Sequence, residues 1–142
     1  MIKEVKIHTE SLIEDLTDEG LVESSERSAS DALGTLRKDT DTLRLSYTEV
    51  YEGEKITTKI CVYGDAVTVK RNGGIECSFE FTEGKTTSSL YSVSGYSFDA
   101  DIFTRKIRSS LTESGGELSL IYDMTIGGAK KKTVMKIKVT EK

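Results

Sequence analysis

The chain of 142 residues is poor in the side chains that most enzymes and metal proteins use, since it has one histidine, two cysteines and no proline. A nucleophile paired with a general base usually needs a histidine, and the local alternation predicts that His8 points outward into solvent. Two cysteines are too few for a disulfide framework or a zinc site. The glycine pairs lack the helix that follows a phosphate-binding loop. We therefore predict a protein that is not an enzyme and uses no metal or cofactor.

Long apolar runs are also missing, and none approaches the roughly 20 residues that span a bilayer. The opening residues 1–6 carry charge where a signal peptide has its apolar stretch, which predicts a cytoplasmic protein without a membrane partner. The net charge of −4 disfavours nucleic acid as a partner. The acidic stretch 10–31 and the lysines at 130–132 are interpreted as solvated faces or turns. A homo-oligomer or a protein partner stays open.

Alternation with period two is what the sequence has in abundance. The stretch SGGELSLIYDMTIGG, residues 114–128, carries bulky side chains at every second position: Leu118, Leu120, Tyr122, Met124 and Ile126. Similar alternation begins at residue 42, with short turns such as Gly64-Asp65, and it predicts separate strands over 96–103 and 106–113. Short antiparallel connections form a meander, and closure removes exposed sheet edges. The prediction is one all-β domain over residues 1–142, an antiparallel meander β-barrel of roughly eight to ten strands.

The first forty residues carry a weaker pattern. Residues 5–9 indicate a strand, which we expect to continue as a long bent strand past Leu12. Ser11 and Glu14 alternatively fit a capping box that opens a short helix. A second strand is expected over roughly 28–38.

The two cysteines are expected on opposite faces of the sheet. The alternation places Cys61 outward and Cys77 inward, on strands with one other strand between them. Neighbouring strands lie about 4.8 Å apart, so two such residues are beyond disulfide reach. Both are predicted to be free thiols.

Several stretches together resemble a known family. The pieces VKIHTES, LRLSYTE, TTKICVYGDAVTVKRNG, FEFTEGKTTSSLY and SGGELSLIYDMTIGG occur in an order similar to that of the YwiB-like family of small bacterial proteins. The resemblance covers residues 5–139 and contains no catalytic signature. It implies a calycin-like, or lipocalin-like, β-barrel and brings no established activity.

Four polar-tipped residues are the candidate ligand-binding residues. Arg71 continues the inward row of Val67 and Val69 and then meets a turn, which places a guanidinium at a barrel mouth. There it can bind an anionic ligand or, alternatively, form a plugging salt bridge. Three further residues assigned to the interior offer hydroxyl groups that need partners when buried: Tyr47, Tyr91 and Tyr122. A packed core with water-satisfied hydroxyls would explain the same residues.

Two functions of different class follow from this pattern. The first is a non-catalytic binder of a small, anionic or amphipathic molecule inside the barrel, which Thr58, Ser89 and Ser109 on otherwise apolar rows favour. The alternative is a filled barrel that binds another protein through an exposed apolar patch. The residues assigned to that patch are Leu12, Leu90, Ile121 and Val134.

Overall fold

The computed structural model describes residues 2–142, and every regular element among them is a β-strand. The strands are β1 (Ile2–Leu16), β2 (Val22–Asp39), β3 (Thr42–Tyr51), β4 (Glu54–Tyr63), β5 (Ala66–Gly73), β6 (Ile75–Thr82), β7 (Thr86–Val93), β8 (Tyr96–Ser109), β9 (Gly116–Ile126) and β10 (Ala129–Glu141). The described part of the chain contains no helix long and apolar enough to cross a membrane.

The ten strands close into a barrel in chain order. Each strand pairs antiparallel with the next one, and β1 completes the circle by pairing with β10 from Val5–Glu141 to Leu16–Lys130. The predicted Gly64-Asp65 turn joins β4 to β5, with Gly64 at a φ of 57° that suits glycine. The predicted all-β antiparallel meander barrel is confirmed.

The core lies inside the barrel, because alternate side chains of each strand point inward. Its largest fully buried members are Phe81, Ile7, Leu36, Ile60, Ile102, Leu118, Leu120 and Ile137. The face predicted from residues 118–126 is confirmed, since Leu118, Leu120 and Tyr122 are buried and Met124 and Ile126 are partly buried.

The first hairpin is longer than the sequence indicated. β1 is one strand through Leu16, as expected from the sequence, and the alternative helix at Ser11 does not form. β2 begins at Val22, six residues before the expected start, and it pairs with β1 along its length. The start was misplaced because inward positions from Ser24 to Ser30 are serine or glutamate, which leaves no alternation of hydropathy to detect.

The predicted separate strands at 96–103 and 106–113 are wrong, because β8 is continuous over Tyr96–Ser109. Thr104 pairs with Tyr122 and Lys106 with Ile121, so Arg105 is an extra residue in a β-bulge. On the outer face, Arg105 Nε donates to Asp123 Oδ2 at 2.7 Å. The bulge reverses the in–out alternation, and the sequence pattern therefore looked like a turn.

The backbone pairing between β6 and β7 is confined to residues 75–77, which lie opposite residues 91–93. Further from the hairpin the two strands are not paired through their backbones. There the Ser89 hydroxyl donates to the Ser78 carbonyl at 2.7 Å, and the Thr87 hydroxyl donates to the Glu80 carbonyl at 2.7 Å. Ser89 therefore bridges two strands, which is a different role from leaving space for a ligand.

Both cysteines are free thiols, as predicted. Cys61 on β4 is partly exposed and Cys77 on β6 is buried, with β5 between the two strands.

His8 lies on the outer face of β1, as expected, but it is engaged by two carboxylates. Its Nδ1 lies 2.7 Å from Asp31 Oδ1, and its Nε2 lies 3.1 Å from Glu10 Oε1. Hydrogen bonds to Glu10 and Asp31 raise the pKa of His8 above its usual 6.5.

We expect a pH dependence of stability that originates at His8. A pKa raised by folding means that the protonated imidazole stabilises the folded protein fully below pH 6.5, and that this contribution is lost as the pH rises through the folded-state pKa. The urea midpoint should fall between about pH 6 and about pH 8, and His8→Gln should flatten that fall. An equal slope in the variant would assign the dependence to other groups.

Candidate ligand-binding site

One end of the barrel carries the four candidate residues. Five hairpins meet there, those that join β1 to β2, β3 to β4, β5 to β6, β7 to β8 and β9 to β10. Arg71 lies two residues before the end of β5. We call this end of the barrel the Arg71 end.

Three of the four candidates lie in one cross-strand row on the inner face. Tyr47 pairs with Thr58, Thr58 with Arg71, Arg71 with Cys77, and Cys77 with Tyr91. Each step crosses one strand spacing of about 4.8 Å, so Tyr47 and Tyr91 flank Arg71 at about 10 Å on either side. The regular meander from β3 to β7 thus places the Arg71 guanidinium between the phenols of Tyr47 and Tyr91.

Tyr122 reaches the interior from β9. Its cross-strand neighbours are Thr104 on β8 and Thr133 on β10, and its ring contacts Phe81 with the ring centres 4.8 Å apart. Thr104 is 0% exposed and Thr133 is 2% exposed. The Thr104 hydroxyl has no hydrogen-bond partner within the described residues, whereas a hydrogen bond between Thr133 and the Tyr122 phenol acts to lower the pKa of that phenol. One unsatisfied buried hydroxyl therefore lies beside the Tyr122 side chain.

Arg71 itself is partly buried. Within residues 2–142 no carboxylate forms an ion pair with its guanidinium, whereas Arg37, Arg44 and Arg105 each pair with an aspartate. The described residues therefore contain no salt bridge of Arg71, which was the alternative to ligand binding.

Burial and the Arg71 charge act in opposite directions on the surrounding acids. Burial raises the pKa of Tyr47, Tyr91, Tyr122 and Cys77, and in each case the nearby positive charge of Arg71 partly opposes that rise. The net direction is upward, so all four groups are neutral near pH 7. Three neutral phenols beside a guanidinium can donate hydrogen bonds to an anion.

Sequence reasoning missed a second cation, Lys131, which it assigned to a solvated run. Lys131 has the same parity as the buried Thr133 and Met135, and its Nζ lies 2.6 Å from Asp15 Oδ1. Ser24 also donates to Asp15, at 2.9 Å. The charge of Lys131 acts to lower the pKa of Tyr91, as that of Arg71 does. The parity of Lys131 was the signal that could have identified it.

The inner face of β1 and β2 carries several short side chains with hydroxyl groups. Thr9 and Ser11 on β1 are cross-strand neighbours of Ser30 and Ser28 on β2, and the hydroxyls of Thr9 and Ser30 are 2.7 Å apart. These inward positions lacked an apolar signal, so the sequence offered no reason to single them out.

The best-defined surface depressions lie elsewhere. One is on the outer face around His8, Leu33 and Lys138, and another is at the opposite end around Leu43 and Tyr63. Neither includes the Arg71 row. The case for a site at the Arg71 end consequently rests on unsatisfied polar groups and charge.

Exposed apolar side chains cluster on the hairpins of the Arg71 end. Six of the large exposed hydrophobic residues lie on or beside these hairpins: Leu21, Val22, Val50, Tyr51, Tyr96 and Phe98. The polar interior therefore opens beside apolar hairpin tips.

The fold and interior define a closed, ten-stranded antiparallel β-barrel protein, and no group of three or more histidine, cysteine, aspartate or glutamate side chains in residues 2–142 is placed so that it could hold a metal ion. The chain belongs to the family described as "Domain of unknown function (DUF1934)", whose model matches residues 7–138. It is 28% identical over 123 residues to the uncharacterized β-barrel protein YwiB of Bacillus subtilis (strain 168), covering 87% of this chain and 82% of that protein.

The crystal structure of the YwiB protein from Bacillus subtilis has the same fold. It superposes with a TM-score of 0.80 at 25% identity and covers 96% of this chain and 92% of that one. The resemblance to the YwiB-like family, drawn from the strand and turn sequences, is confirmed.

Proposed function

We propose that this protein is a non-catalytic, cytoplasmic binder of a small anionic or amphipathic molecule, used in the manner of a calycin-like barrel. The observation that carries the proposal is the partly buried Arg71 guanidinium, which lacks an acidic partner in residues 2–142 and lies between Tyr47 and Tyr91. Two free thiols support a reducing compartment.

The energetic argument concerns groups that lack partners. A buried polar group without a hydrogen bond costs about 1–3 kcal/mol, and hydrogen bonds between charged groups are the strongest available. Thr104 is such a buried group. A ligand carboxylate or phosphate would pair with Arg71, and its remaining oxygens would accept from the phenols.

The apolar part of an amphipathic ligand also has partners. The ring of Tyr91 stacks on Phe79 with ring centres 6.3 Å apart, and Phe98 on β8 is the cross-strand neighbour of Tyr91. Phe98 is 40% exposed. Covering such a side chain removes apolar area from water, at about 25 cal/mol per Å².

Anion-dependent thermal stabilisation tests the proposal. Carboxylates of increasing chain length, from acetate to octanoate, and inorganic phosphate should raise the melting temperature of the wild-type protein. A ligand at 100 times its Kd stabilises by about 2.7 kcal/mol, which corresponds to several degrees. Arg71→Ala should abolish the shift.

The matched control is Arg108→Ala, because Arg108 is an exposed arginine on β8 that forms no ion pair within the described chain. This variant should retain the full shift. Equal shifts in both variants would place anion binding away from Arg71. A larger shift with octanoate than with acetate or phosphate would favour an amphipathic ligand.

A specific observation supports the alternative, a protein-binding outer surface. Leu12, Val134 and Ile121 are consecutive cross-strand neighbours on the outer face of β1, β10 and β9. They form a contiguous but partly buried apolar row. Leu90, which is 59% exposed, lies on β7 outside this row, so the four residues do not form the single patch that the sequence suggested.

A further inference from the structure

The N-terminal part of β2 has a free edge on the side of β3, although the sheet is otherwise closed. β2 pairs with β3 only through residues 34–39, opposite 42–47, whereas its residues 22–33 pair with β1 alone. The backbone groups of 22–33 on the side away from β1 therefore have no partner strand among the described residues. Such an edge is a template for another strand.

This edge has only some of the features by which proteins usually block strand pairing. Residues 22–33 contain no proline and no lysine, and the one bulge in their pairing with β1 is at Glu23, because Asp15 pairs with Ser24 and Leu16 with Val22. Every residue from Val22 to Ala29 is exposed, and four of the eight are serine or alanine with short side chains. The charged residues among them are Glu23, Glu26 and Arg27, so the register of an incoming strand decides whether like charges oppose it.

We propose that this edge pairs antiparallel with the same edge of a second copy of the chain, around a twofold axis at Ser25. In this register Glu23 of each copy lies opposite Arg27 of the other, on the outer face. The charge pattern of the strand is thus complementary to itself.

Neighbouring registers are less favourable. An axis at Glu26 places that carboxylate opposite its own copy, and an axis at Arg27 does the same with two guanidiniums. An axis at Ser24 leaves the charges without opposite partners. Glu23 and Arg27 form no ion pair within residues 2–142, so both are available to a second copy.

Charge reversal and its rescue test the dimer. Sedimentation or native mass spectrometry should show the wild-type mass rising with concentration from 15.7 kDa towards twice that value. Glu23→Arg alone and Arg27→Glu alone should each remain monomeric, because each places like charges opposite one another. An equimolar mixture of the two variants should form a heterodimer, because the first carries only positive and the second only negative charges at these two positions.

Amide exchange should report the same contact, with slower exchange in residues 22–28 of the dimer. A wild-type mass of 15.7 kDa up to about 1 mM, the weak end of specific affinities, would overturn the proposal. So would single variants that dimerise as well as the wild type, or a mixture that stays monomeric. None of these results bears on Arg71, which lies on β5.

Discussion

Leu120→Ala is expected to lower the free energy of unfolding by about 2–5 kcal/mol. Leu120 is 0% exposed and lies on β9 between its cross-strand neighbours Met135 on β10 and Ile107 on β8. Removing its side chain deletes apolar contacts and leaves a cavity that these neighbours can fill only in part. Urea or guanidinium unfolding measures the change directly.

Leu90→Ala is the matched control for this substitution. Leu90 is 59% exposed on the outer face of β7, so the same chemical change should alter stability by no more than about 0.5 kcal/mol. Equal losses for the two variants would show that the assignment of inner and outer faces is wrong.

Gly34→Ala is expected to destabilise the barrel by about 1–3 kcal/mol or more, through steric overlap. A Cβ atom at Gly34 would collide with the carbonyl oxygen of Ser46 on β3 and would lie 2.6 Å from Ile7 Cδ1 and 3.0 Å from Tyr47 Cβ. The first contact is with backbone, so β2 and β3 would have to separate. Gly34 and Tyr47 form the last backbone pair before the two strands diverge.

The collision should also disturb the candidate site, since Tyr47 is displaced with β3. Gly34→Ala should therefore weaken any anion-dependent thermal shift as well as stability. Thr35→Ala, at the exposed neighbouring position, should change neither by a measurable amount. A Gly34→Ala variant with wild-type stability would contradict the close approach of the two strands.

The barrel was predictable where side chains alternate strictly between apolar and polar. Leu118 and Leu120 illustrate this, because a half-buried strand imposes a period of two that a single sequence displays. The prediction failed where burial and polarity did not coincide. The bulge at Arg105 reversed the alternation within one strand, and the serine positions of β2 face inward without being apolar.

The candidate site was predictable only in part for the same reason. Arg71 and the tyrosines lay on rows whose other members are apolar, so their inward orientation could be deduced. Lys131 is the middle one of three consecutive lysines near the start of β10, and this run of charge concealed that Lys131 faces the same side of the strand as Thr133. Its contact with Asp15 is made between residues 116 positions apart, which no local pattern displays.

Native mass spectrometry of freshly purified protein tests the central claim most directly, with wild type, Arg71→Ala and Arg108→Ala measured side by side. The account predicts a non-covalent adduct of a small anionic molecule on the 15.7 kDa chain in the wild type and in Arg108→Ala, and its loss in Arg71→Ala. An adduct retained in equal proportion by Arg71→Ala would contradict it. So would a bare chain in all three samples that stays bare when octanoate and phosphate are added.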